Sequence, residues 1–112
     1  MPTTTTTLTA DGSVLIAYLR KARVHTQYLG TEYAYGTFGG GTLSFYLSPD
    51  GGTTKIPLTL TPGGTGVALT SDGTVVYTLG TPSTNSTQIT LWATLAGSSG
   101  ASITILHCDN NN

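Results

Sequence analysis

The stretch Thr42-Leu43-Ser44-Phe45-Tyr46-Leu47-Ser48-Pro49-Asp50-Gly51-Gly52-Thr53-Thr54 decides the fold class. Up to Ser48 it alternates, with Leu43, Phe45 and Leu47 on one side and Ser44, Tyr46 and Ser48 on the other. A period of two marks a half-buried strand, because successive side chains leave opposite faces. Pro49-Asp50-Gly51-Gly52 follows as a tight turn, with glycines for positive φ. The returning strand is expected to turn Ile56, Leu58 and Leu60 inward and Pro57 outward. Proline cannot donate to a ladder, so this strand belongs at a sheet edge.

Outward from the hairpin, the same pattern recurs. Pro62-Gly63-Gly64 breaks the chain, Val67 and Leu69 open a short strand, and Ser71-Asp72-Gly73 turns it into Val75, Tyr77 and Leu79 at period two. Beyond a polar loop over 80–87, Ile89, Leu91, Ala93 and Leu95 share a face; beyond Gly97 to Gly100, Ile103, Ile105 and His107 close the sheet. Upstream, Val14 to Leu19 is a continuous apolar run, read as a strand covered on both faces. A helix from Ser13 to Arg23 competes, since Leu15, Tyr18, Leu19 and Ala22 have helical spacing. Arg20 to Tyr28 alternates, with Lys21, Arg23, His25 and Gln27 facing one way. About seven or eight strands, with turn signals roughly every 8–12 residues, predict an all-β fold: one antiparallel β-sandwich, jelly-roll-like. Residues 1–10 are expected as an extended Thr-rich arm without a core pattern, 11–108 as the sandwich and 109–112 as a polar tail.

Composition agrees. Threonine dominates, and β-branched hydroxyl residues suit pleated strands. The chain has 112 residues, enough for one modest core, and is only 8% charged. Its net charge of −1 suggests no nucleic-acid partner and gives little electrostatic protection against self-association. The single cysteine, Cys108, excludes an internal disulfide and points to a reducing compartment. The sequence has no signal-peptide pattern and no apolar run long enough for a membrane helix, so no membrane association is expected.

Catalytic chemistry is thinly supplied. The histidines are His25 and His107, and no His–carboxylate–nucleophile set can be assembled from their spacing. Asp11, Asp50 and Asp72 each precede glycine, as turn residues do. His107 and Cys108 are strand neighbours on opposite faces and cannot chelate one ion. Gly39-Gly40-Gly41 lacks the Lys and helix of a phosphate loop and is read as a flexible approach to a strand. No catalytic residue, metal site or cofactor is therefore expected. Ser48, Asp50, Gly51 and Gly52 resemble an Asp-box hairpin, in which Ser and Asp side chains brace the turn, although Lys55 stands where that motif carries Trp.

Two sets of residues are candidates for partner contact. Lys21, Arg23 and His25 form a positive stripe, either a solvated face or a dock for an acidic protein surface. Tyr28, Tyr33, Tyr35, Phe38, Tyr46 and Trp92 are the candidate interface aromatics, either covered by the chain itself or presented to a partner.

Gly36-Thr37-Phe38-Gly39-Gly40-Gly41-Thr42-Leu43 followed by Leu47-Ser48-Pro49-Asp50-Gly51-Gly52-Thr53-Thr54 resembles small virion structural proteins of tailed bacteriophages. The resemblance covers residues 36–58 well and the rest only in texture. It implies a non-enzymatic head-decoration (cement) protein on the capsid exterior, bridging subunits of the major capsid protein as a homo-oligomer, with a trimer favoured, and without a cofactor. The alternatives are a neck, tail or fibre component, or a carbohydrate-binding module with Trp92 or Tyr46 as the sugar platform. A flat, solvent-facing Trp favours sugar, and a Trp covered by another subunit favours assembly.

Overall fold

The computed structural model of the chain describes residues 3–19, 27–60, 64–80 and 89–109; for 27–29, 79, 80 and 109 it describes the backbone alone. Nine strands appear among them: β1 (Thr3–Leu8), β2 (Gly12–Leu19), β3 (Gln27–Thr37), β4 (Thr42–Ser48), β5 (Ile56–Pro57), β6 (Ala68–Leu69), β7 (Gly73–Gly80), β8 (Ile89–Ala96) and β9 (Ser102–Asp109). They form two antiparallel sheets, one ordered β1-β9-β3-β7 and the other β2-β8-β4-β5, with β6 also paired to β4.

The pairings are nested. β1 meets β9, β2 meets β8, β3 meets β7, and β4 meets β5 and β6. The chain is thus one long antiparallel hairpin whose tip is the turn after β4. Rolling that hairpin brings β9 against β3 and β8 against β4, which makes the two sheets. This is a β-sandwich with jelly-roll strand order, as the alternating pattern predicts.

The core lies between the sheets. β4 and β8 supply Leu43, Phe45, Leu91, Ala93 and Leu95, while Ala34, Val75, Tyr77, Ile103 and Ile105 face them from the other sheet. In β4, β8 and β9 the residues read as inward do turn in, but Tyr46 and Ser48, read as outward on β4, are buried as well.

Four features depart from it. The stretch read as a free arm is β1, in register with β9 from Thr3↔Cys108 to Leu8↔Ile103, with Leu8 in the core. Threonine hides the signal, because its methyl and hydroxyl suit both faces of an edge strand. β3, the longest strand, spans a region for which the sequence suggested only aromatics and a glycine-rich approach. β2 is a strand, not a helix, but its apolar run reflects a bulge rather than two covered faces. The register jumps between Leu15 and Ala17, so Val14, Ala17 and Leu19 pair with inward residues of β8 while Leu15 and Tyr18 face outward, Tyr18 exposed. β5 is the expected edge strand, yet only Leu58 turns in; Ile56 and Leu60 are exposed. Backbone bonds from Leu58 N to Phe45 O (3.0 Å) and Val67 N to Leu58 O (2.8 Å) strap this excursion to β4 around Leu58.

Because Leu8 fills the core, Leu8→Ala should lower unfolding free energy by about 2–3 kcal/mol, the cost of a buried leucine truncation. Urea denaturation measures this; a change within error would return residues 3–8 to the status of a free arm.

Candidate functional site

The tip of the roll is a braced turn. Ser48 Oγ donates to Asp50 Oδ1 (2.8 Å) and accepts from Gly52 N (2.8 Å). Asp50 accepts from Thr54 N at Oδ1 (2.7 Å) and from the Thr54 hydroxyl at Oδ2 (2.5 Å). Gly51 and Gly52 adopt φ of +77° and +109°, a region that side chains resist. Ser48, Asp50, Gly51 and Gly52 thus stand as the Asp-box resemblance implies. Hydrogen bonds from Thr54 and Ser48 hold the Asp50 carboxyl below its usual range, the Thr54 hydroxyl contributing most.

The turn folds back over Trp92. A Cβ on Gly52 would stand 3.0 Å from the indole Cζ2. The indole N–H donates to Thr90 Oγ1 (2.8 Å), and Thr90 Oγ1 donates to Ser48 O (3.1 Å). Tyr46 stacks parallel to Trp92, with centroids 6.3 Å apart and planes within 3°. Lys55 Nζ sits 5.2 Å from the Tyr46 centroid, over the face of the ring. Tyr46 is buried and Trp92 half-buried by the chain's own hairpin. Neither is a flat platform facing solvent, and neither needs another subunit to cover it.

The other candidate aromatics divide. Phe38 is a core residue in the β3–β4 connection, not an interface residue. Tyr33 and Tyr35 stand outward on β3, 43% and 48% exposed. Tyr28 lies on the β3 backbone paired with Leu79, and its side chain is outside the described atoms. Lys21, Arg23 and His25 lie outside the described residues.

Tyr33 and Tyr35 belong to the outward face of the four-stranded sheet. Tyr33 lies between Leu106 of β9 and Thr74 of β7, and Tyr35 beside Thr104. Val76 extends the face on β7 at 64% exposure; Thr3, Thr5 and Thr7 of β1 extend it on the far side. Among the described side chains of this face none is charged. Alternation forces the result: the strands' inward residues are the apolar ones, and what remains is threonine, tyrosine and a few aliphatics.

Beneath the face lies a cluster that sequence reasoning missed. Glu32 is fully buried, and its Oε2 accepts from Tyr77 OH (2.7 Å) and contacts His107 Nδ1 (2.5 Å). Glu32 and His107 are register partners on β3 and β9; the Tyr77 ring lies over Gly30, where a Cβ would come within 2.6 Å of it. Burial pushes the Glu32 carboxyl up, against the opposing pull of His107 and then Tyr77. The inward phase of His107 and Tyr77 was legible from their neighbours, but an acid at an inward place on β3 had no visible partner. Cys108 points to the opposite face from His107, as alternation requires. Among the described residues no group of three or more His, Cys, Asp or Glu side chains is placed to hold a metal ion.

At the end of the sandwich opposite the braced turn, aspartates tie loops together. Asp11 Oδ2 accepts from Gly97 N (3.1 Å), and its Oδ1 accepts from Ser98 N (2.9 Å) and the Ser98 hydroxyl. Asp72 Oδ1 accepts from Gly36 N (3.0 Å). These acids precede glycines as turn residues do, yet they brace partner loops rather than their own.

No protein-family model matches the chain, and comparison with curated proteins and with solved structures finds no match.

Ser48→Ala should cost about 1–2 kcal/mol by stripping Gly52 N of its acceptor, and Gly51→Val more, through backbone strain. Thermal melts of both against wild type test this; wild-type stability of Gly51→Val would contradict the left-handed turn. Asp11 and Asp50, held low in the folded state, contribute stability that is present above their ordinary value of 3.8 and is lost as pH falls through the folded values. Asp50→Asn should therefore lie below wild type in melting temperature at pH 6 and converge with it towards pH 2.

Proposed function

We propose that this protein is a non-enzymatic virion structural component of a tailed bacteriophage, a capsid decoration protein that packs against neighbouring capsid subunits. The observation that carries the reading is the uncharged outer face of the four-stranded sheet, with Tyr33, Tyr35 and Val76 exposed among threonine hydroxyls. Tyrosine offers large contact area at low entropic cost, and a face without charges has no ions to desolvate. Tyrosine is enriched at protein contacts and charged residues are depleted at their centres, which is the composition of this face.

The face measures roughly 450 Å² in plan, from four strands about 4.8 Å apart and about seven residues of about 3.4 Å each. That is less than the roughly 800 Å² per partner of a standard stable complex. Firm attachment then needs several faces engaged together, which a symmetric oligomer, a trimer in this reading, supplies through avidity.

The test uses head particles assembled without this protein. Wild type should sediment with them and raise the temperature at which the shell opens. The double variant Tyr33→Lys, Val76→Lys should keep its own fold, within about half a kcal/mol for exposed sites, and remain in the supernatant. Equal co-sedimentation of variant and wild type would contradict the docking face, and failure of wild type to bind any head particle would contradict the decoration role.

A further inference from the structure

The buried cluster under the docking face has a chemistry that the assembly role does not use. Oε2 of Glu32 and Nδ1 of His107 stand 2.5 Å apart, both within the sandwich. Two bare lone pairs do not approach so closely, so a hydrogen lies between them, carried by the carboxyl or by the ring nitrogen. Oε2 also accepts from Tyr77, while Oε1 is buried without a hydrogen-bond partner. An ionised carboxylate with one oxygen unsolvated is costly, and the cost is relieved by keeping the acid protonated or its partner cationic.

We propose that the Glu32–His107 pair is a pH-sensitive catch on the four-stranded sheet: while the pair holds one titratable proton it has no net charge and fastens β3 to β9, and loss of that proton to solvent leaves an unneutralised carboxylate in the core and loosens the ladder. The described groups facing Glu32 from its own sheet are His107 on β9 and, on β7, Tyr77 and the apolar Val75. The inward side chains of the opposite sheet, among them Leu19, Phe45, Leu91 and Leu95, are apolar and supply no other charge. His107 is therefore the one basic group, among the described side chains, in contact with the carboxylate.

The sign follows from burial. Glu32 is raised above its ordinary 4.5, so its contribution to stability is full below that value and is lost as pH climbs through the folded-state value. This runs opposite to Asp11 and Asp50, which weaken the fold in acid. The two directions are separable in one pH series, and the device is independent of what docks outside.

The experiment is urea unfolding of wild type and Glu32→Gln from pH 5 to 8, below the range where free thiols and phenols ionise. Glutamine keeps the shape, can accept from Tyr77 and donate to His107, and cannot ionise. Wild type should lose stability with rising pH by up to tenfold in the unfolding constant per pH unit, and Glu32→Gln should be flatter and overtake it at the alkaline end. Parallel profiles would overturn the proposal. If Glu32→Gln does not fold, carboxyl-carbon NMR of wild type decides: a Glu32 signal still titrating well above 4.5 supports the catch, and one titrating at or below 4.5 overturns it.

Discussion

The ladder between β3 and β9 is the contact on which the rest depends. The nested pairs join strands that face each other across the long hairpin, whereas β3·β9, like β4·β8 in the other sheet, joins one wrap to the next and so closes the roll. Its two sides carry different chemistry in register. On the inside Glu32 meets His107 and Ala34 meets Ile105; on the outside Tyr33 meets Leu106 and Tyr35 meets Thr104. A flaw in this ladder would open the core and disorder the outer face together.

Low charge shapes everything around that ladder. Most described acids are spent on loops: Asp11 on the 97–98 turn, Asp50 on its own hairpin, Asp72 on the end of β3. They hold the tips of the roll, and among the described side chains the outer face of the four-stranded sheet carries no charge. Lys55 sits over Tyr46 beside an open groove lined by Ser44, Pro57, Val67 and Thr94. The five-stranded sheet covers its own aromatics with the Ser48–Thr54 turn, whereas the four-stranded sheet leaves Tyr33 and Tyr35 bare. This asymmetry is why the latter is the docking candidate.

Where inward residues were apolar, as in β4, in β8 and at Ile103 and Ile105 of β9, alternation alone placed them correctly. β1 escaped notice because Leu8 is its one apolar anchor and its partner lies about a hundred residues away in sequence. β3 escaped because Gly30, Glu32 and Ala34 occupy its inward places: a glycine that makes room for Tyr77, a buried acid and a small residue give no hydrophobic rhythm. The proposed docking face was half legible. Tyr33 and Tyr35 were recognised as aromatics of interest, but Phe38 and Tyr46, grouped with them, are buried, since their burial depends on the roll and the folded-back turn rather than on local spacing. The Glu32–His107–Tyr77 cluster joins three strands that are remote in sequence, and only the register brings them together.

Oxidative footprinting of tyrosines, in the free protein and in the protein bound to head particles, tests the central claim most directly. Tyr33 and Tyr35 stand on the proposed docking face, and Tyr18, 55% exposed, stands on the opposite sheet as an internal reference. The account requires Tyr33 and Tyr35 to lose reactivity on assembly while Tyr18 keeps it. Protection of Tyr18 with Tyr33 and Tyr35 unchanged would place the contact on the other sheet and contradict it.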